Sequence, residues 1–135
     1  MSIEKYSGTW ILVPELCIYQ SGEPPTEGTY TISRNSVDIS FLINWKDRGG
    51  KEHELRFGGP LDGKKHPSQA PGITDVSYER IDERTLDSTA FNHNETVMYA
   101  RRVASGDGFL LAVSQVIYGD KGALSNFQVY RRKIS

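Results

Sequence analysis

The chain has 135 residues, a length suited to one domain (1–135) with a core that needs no disulfide or metal staples. With 16 Lys+Arg against 17 Asp+Glu, the formal net charge is -1, which leaves no field of one sign to steer nucleic acid or an anionic membrane surface. No apolar run approaches the roughly 18 residues of a membrane span. The start MSIEKYSGTW carries no apolar signal core and Cys17 is the only cysteine, so the expectation is a cytoplasmic protein without an internal disulfide.

Apolar residues alternate with polar ones far more often than they recur at three and four, which is the period of half-buried strands. In chain order the strands fall at 7–14, 28–33, 36–45, 52–58, 75–81, 85–92, 95–104, 109–118 and 124–133. Turn residues separate them: Asn35, Asp47 to Gly50, Asp82-Glu83, Asn92 to Asn94, Ser105 to Gly108 and Gly119 to Gly122. Such short connections imply an antiparallel meander, since parallel neighbours need crossovers of about a dozen residues. A long meander with nothing to cover its faces closes economically into an all-β, antiparallel up-and-down β-barrel of about 8–10 strands, a two-sheet sandwich being the alternative. An odd strand count cannot close antiparallel on itself. Either the barrel is not sealed there, or a further short strand lies in Glu15–Thr26 or Leu61–Ile73, a choice that decides whether residues 61–73 lie at the mouth or the floor.

Register assigns the inward faces. Strand 36–45 turns Val37, Ile39, Phe41, Ile43 and Trp45 inward, and 52–58 turns His53, Leu55 and Phe57 inward. Strand 75–81 offers Val76, Tyr78 and Arg80; 85–92 offers Leu86, Ser88, Ala90 and Asn92; 109–118 offers Phe109, Leu111, Val113, Gln115 and Ile117. For 95–104 the set Val97, Tyr99, Arg101 and Val103 opposes Thr96, Met98, Ala100 and Arg102. Slipping the later strands by one residue would instead send Ile81, Met98 and Ala100 inside. In the first register Arg80 and Arg101 enter the barrel with no acidic partner on the inward faces, and buried unpaired charge calls for water, a tyrosine hydroxyl or an anionic ligand group.

Gly8-Thr9-Trp10 on the first strand, with NFQVYRRK at 126–133 on the last, resembles the calycin superfamily of lipocalins and fatty-acid-binding proteins. PLDGKKHP at 60–67, DVSYERIDERTLDSTAF at 75–91 and ARRVASGDGFLLAV at 100–113 are similar to small bacterial lipocalin-like domains. The resemblance implies that Trp10 sits at the closed end beneath Arg131 or Arg132, with Arg131 the first choice, as a structural plug. The chain departs from the fatty-acid-binding pattern in two places. Glu15–Thr26, with Pro24-Pro25, is a poor helical pair, and Gln128-Val129-Tyr130 stands where an Arg-x-Tyr would bind carboxylate.

His53, His66 and His93 lack paired metal-ligand spacing, so no metal or cofactor is expected, haem on His53 being the one conceivable exception. The expected function is binding of a small, mainly hydrophobic molecule with a polar or anionic end. Its candidate contacts are Phe41, His53, Leu55, Phe57, Tyr78, Arg80, Tyr99, Arg101, Leu111 and Gln115. Two alternatives stay open: a cyclase- or isomerase-type enzyme using Tyr78, Tyr99 or His53 for proton transfer, and an interaction protein with a filled barrel. An outer sheet face would serve a homodimer.

Overall fold

The computed structural model describes residues 4–134. Its strands are β1 (Gly8–Leu12), β2 (Ile18–Tyr19), β3 (Glu27–Arg34), β4 (Asp38–Lys46), β5 (Glu52–Pro60), β6 (His66–Pro67), β7 (Asp75–Arg80), β8 (Thr85–Asn92), β9 (Glu95–Ala104), β10 (Leu110–Gly119) and β11 (Gly122–Arg132). One short 3₁₀ turn, Pro14–Leu16, follows β1. No helix among the described residues is long and apolar enough to cross a membrane.

All strands join one antiparallel sheet in the order β5-β4-β3-β1-β11-β10-β9-β8-β7-β6, and β2 continues the β1 side by pairing with β11. The sheet curls until its two ends meet without a ladder between β5 and β6 or β7. Both long connections hide a short strand. β2 lies in the first and β6 in the second, and β6 supplies the direction reversal that lets β5 and β7 face each other across the seam. Val37 and Phe109 lie in the turns before β4 and β10 and are exposed, although strict alternation puts them inside.

One end of the barrel is sealed. Trp10 is fully buried, its indole N–H donates to the Tyr6 carbonyl at 2.9 Å, and the Arg132 guanidinium lies 4.2 Å from the ring centroid. The stacking arginine is therefore Arg132 and not Arg131. In the β1–β11 ladder Arg132 is the residue opposite Trp10, so the two share a face, whereas Arg131 points outward and is exposed. Arg132 also donates to the carbonyls of Gly108, Ser7 and Lys5, which ties the segment before β1 across the barrel end. Gly8 makes this possible. Its φ is +129°, and a Cβ there would sit 2.5 Å from Arg132 Nη1.

Above the plug, Tyr30, Phe41 and Tyr130 pack with ring centroids 6.0 and 5.5 Å from Tyr30. Burial raises the hydroxyl pKa of Tyr30 and of Tyr130 above the ordinary 10.0. Burial likewise pushes Tyr78 up to about 12.

These contacts have measurable consequences. Trp10→Ala should cost about 3–5 kcal/mol in chemical denaturation, and an unchanged midpoint would remove its role as the plug. Gly8→Ala should cost roughly 1–3 kcal/mol through strained φ and displacement of Arg132. Because the buried tyrosines stay neutral in the folded state, their contribution is complete below pH 10 and is lost as pH rises through the folded values. Unfolding midpoints should hold steady up to pH 10 and fall between pH 10 and about 12.

Candidate functional site

Above the Tyr30 layer the barrel encloses a cavity of about 580 Å³ that opens at the end opposite Trp10. The sheet register explains which side chains reach it. Phe41 pairs with Phe57 and Ile43 with Leu55, so β4 and β5 present one apolar face, and the Phe41 and Phe57 rings stack at 4.6 Å. Val76 and Tyr78 from β7 continue that wall. Ser88 and Ala90 from β8, Met98, Ala100 and Arg102 from β9, Val113 and Gln115 from β10, and Gln128 from β11 form the other. Pro67, Ser68, Gln69, Ala70 and Ile73 edge the opening, so the 61–73 connection starts at the sealed end, where Gly63 bonds to Tyr78, and its second half lies at the mouth.

The dominant electrostatic feature is Arg102. It is only 4% exposed, and its guanidinium lies 4.6 Å from the Phe41 ring centroid. Its Nε donates to the Tyr30 hydroxyl at 2.7 Å and its Nη1 to Ser88 Oγ at 2.9 Å. No carboxylate pairs with it among the described residues. Nη2 makes no hydrogen bond to any described residue, and the residue lines the cavity. The nearby Tyr78 hydroxyl is also without a protein partner, its proton held by burial, with Arg102 opposing that rise.

The structure moves several sequence-assigned residues. Tyr99 and Arg101 point outward, where the Tyr99 hydroxyl and the Arg101 Nε and Nη2 all meet the Asp87 carboxylate at 2.8 to 2.9 Å. That pairing holds the Arg101 guanidinium pKa above its usual value. The physical reason is the register shift between Ala90 and Phe91: Phe91 pairs with Thr96 but Ala90 with Met98, so Val97 is an extra residue that reverses the faces of β9. The slipped register therefore holds for β9 and fails for β7, where Val76 and Tyr78 stay inside and Ile81 is exposed.

Arg80 shares a face with Tyr78 but lies at the sealed end, exposed and bonded to Glu4, which Arg34 also contacts. His53 lies at the rim outside the cavity, stacked on Trp45 at 5.0 Å and hydrogen-bonded to Asp47 at 2.9 Å. Phe41 and Leu111 are buried in the packed core on the sealed side of the cavity. Leu55, Phe57, Tyr78 and Gln115 line it. Sequence reasoning passed over Tyr30, Gln128 and the inward role of Arg102. The signal for Arg102 was Ala100 and Ala104, small residues sharing its face that are buried here. No cluster of three or more His, Cys, Asp or Glu able to hold a metal occurs among the described residues.

No protein-family model matches the sequence, and no curated protein matches it either. Solved structures do share its fold. The fluorescent protein UnaG superposes with a TM-score of 0.66 at 17% identity, over 98% of this chain and 100% of that one. A zebrafish ileal bile-acid-binding protein complexed with cholic acid gives 0.56 at 13% identity, over 96% and 99% of the two chains. As-p18, an extracellular fatty-acid-binding protein, gives 0.53 at 10% identity, over 97% and 98%. The chain thus shares the antiparallel β-barrel fold of these proteins.

Proposed function

We propose that the protein binds a small, largely apolar molecule in the barrel, with an anionic end held by Arg102 and the Tyr78 hydroxyl. The observation that carries this reading is the buried Arg102 guanidinium, which faces an otherwise mainly apolar cavity without a carboxylate partner. An unpaired interior charge is costly, and an anionic headgroup is the partner that offsets that cost while the apolar wall takes the tail. The bile-acid- and fatty-acid-binding neighbours, whose ligands pair a carboxylate with an apolar body, support the same chemistry. We further place the protein in a reducing compartment, the cytoplasm, on the strength of its lone free Cys17.

The proton-transfer alternative keeps one of its three candidates in the cavity: Tyr99 faces outward and His53 sits at the rim, while Tyr78 lines the lumen with its hydroxyl held neutral by burial.

Titration calorimetry with oleate and its uncharged methyl ester tests the reading. Wild type should prefer oleate, and Arg102→Leu should weaken oleate by about 1.5–3 kcal/mol, erasing the preference. The same variant also removes the hydrogen bonds to Tyr30 and Ser88, so a thermal melt should accompany the titration to show that it is folded at the temperature of measurement. Arg101→Ala should leave oleate affinity unchanged. Equal oleate affinities for wild type and Arg102→Leu would sink the proposal.

A further inference from the structure

The cavity is chemically two-sided. Ile43, Leu55, Phe57 and Val76 make one wall, whereas the interior guanidinium and amide groups of Arg102, Gln115 and Gln128 lie together on β9 to β11. Gln128 is satisfied at both ends of its amide. Its Nε2 donates to the Tyr19 hydroxyl and its Oε1 accepts from the Tyr130 hydroxyl at 2.7 Å.

Gln115 is different. Among the described residues its one hydrogen bond runs from Nε2 to Met98 Sδ at 3.1 Å, and a thioether is a weak acceptor. Its Oε1 has no partner among the described residues. Gln115 stands opposite Ala100 while Arg102 stands opposite Val113, which sets Gln115 two residues nearer the mouth than Arg102. That offset is roughly 7 Å along the strands.

We infer that Gln115 is a second polar subsite, and that the ligand is an amphiphile hydroxylated along its body as well as charged at its end: a hydroxy acid, not a plain fatty acid. This rests on the lumen-binding reading above. A ligand hydroxyl at that height donates to Oε1 and accepts from Nε2 in place of the thioether. A plain hydrocarbon chain instead strips water from the amide and returns nothing. Because the cavity opens to water, the discrimination is that of one neutral hydrogen bond, roughly three- to tenfold in affinity.

Calorimetry of the full chain with stearate, and with hydroxystearates whose hydroxyl is walked along the chain, tests this. Wild type should bind at least one isomer roughly three- to tenfold more tightly than stearate. Gln115→Leu, or Gln115→Met if the first fails to fold, should abolish that preference while holding or improving stearate binding. Arg102→Leu should weaken every member of the series and keep the ranking. If wild type binds stearate as well as every isomer, or the Gln115 variants keep the preference, the Gln115 subsite is overturned and the anion site stands. If wild type binds neither stearate nor any isomer, both fall.

Discussion

The contact on which the barrel depends is the Arg132 guanidinium over Trp10. A curled sheet has two open ends, and a through-channel lined with apolar side chains would wet. Here a cation–π stack with the indole, together with hydrogen bonds from the same guanidinium to three carbonyls, fixes the chain before β1 across one end. Those bonds engage all three nitrogens of Arg132 with protein. The plug in turn makes the remaining space a dead-ended pocket, so whatever lies deep in it is screened from bulk water. Gly8 is the backbone condition for this arrangement, because any side chain there would meet the guanidinium.

Arg102 shows the contrasting use of the same residue type. It sits on β9 among Tyr30, Phe41 and Ser88, with two neutral oxygen acceptors and an aromatic face in place of a carboxylate. Neutral partners stabilise a guanidinium less than an anion does, and the low polarity around it strengthens the field it directs into the cavity. Two arginines thus divide the barrel into a sealed base and a charged floor. One carries structure. The other carries the electrostatics from which ligand chemistry can be argued.

Architecture was legible because it rests on the shortest-range signals. Alternation and turn residues located every long strand, whereas both long connections hold a short strand and the sheet ends stay unpaired at the seam. The resemblance carried by Gly8-Thr9-Trp10 found the plug but not which arginine completes it, since adjacent residues on a strand point opposite ways and only the ladder with β1 separates Arg131 from Arg132. Half of the site was illegible for a related reason. β9 reads as amphipathic from either side: Val97, Tyr99 and Val103 on one face are as apolar as Met98, Ala100 and Ala104 on the other. The extra residue Val97 then reverses the faces within the strand. No periodicity argument detects a bulge that its own side chain disguises, and the error carried Arg101 inward in place of Arg102. The outward pair was invisible as well, because Asp87, which satisfies Arg101 and Tyr99, lies on a different strand.

The seam between β5 and β7 is where the fold stops short of closure, and the sequence manages it in recognisable ways. An unpaired edge invites another strand, from this chain or a second one. Along β5 the outward residues are Glu52, Glu54 and Arg56, all charged, which disfavours a partner strand arriving from solvent. Near the sealed end Gly58 adopts φ +155°, and a Cβ there would lie 2.3 Å from the Ile39 carbonyl oxygen, so only glycine lets the edge strand press this closely on β4. On the facing side β6 is two residues long and ends in Pro67, which has no N–H to offer. At the base Leu61 N–H extends the β4–β5 pairing to the Val37 carbonyl, and Gly63 N–H crosses the seam to the Tyr78 carbonyl of β7. The barrel is therefore held where the plug needs rigidity and is left open where the cavity meets solvent, and the residues that protect the open edge are the ones that shape the cavity's rim.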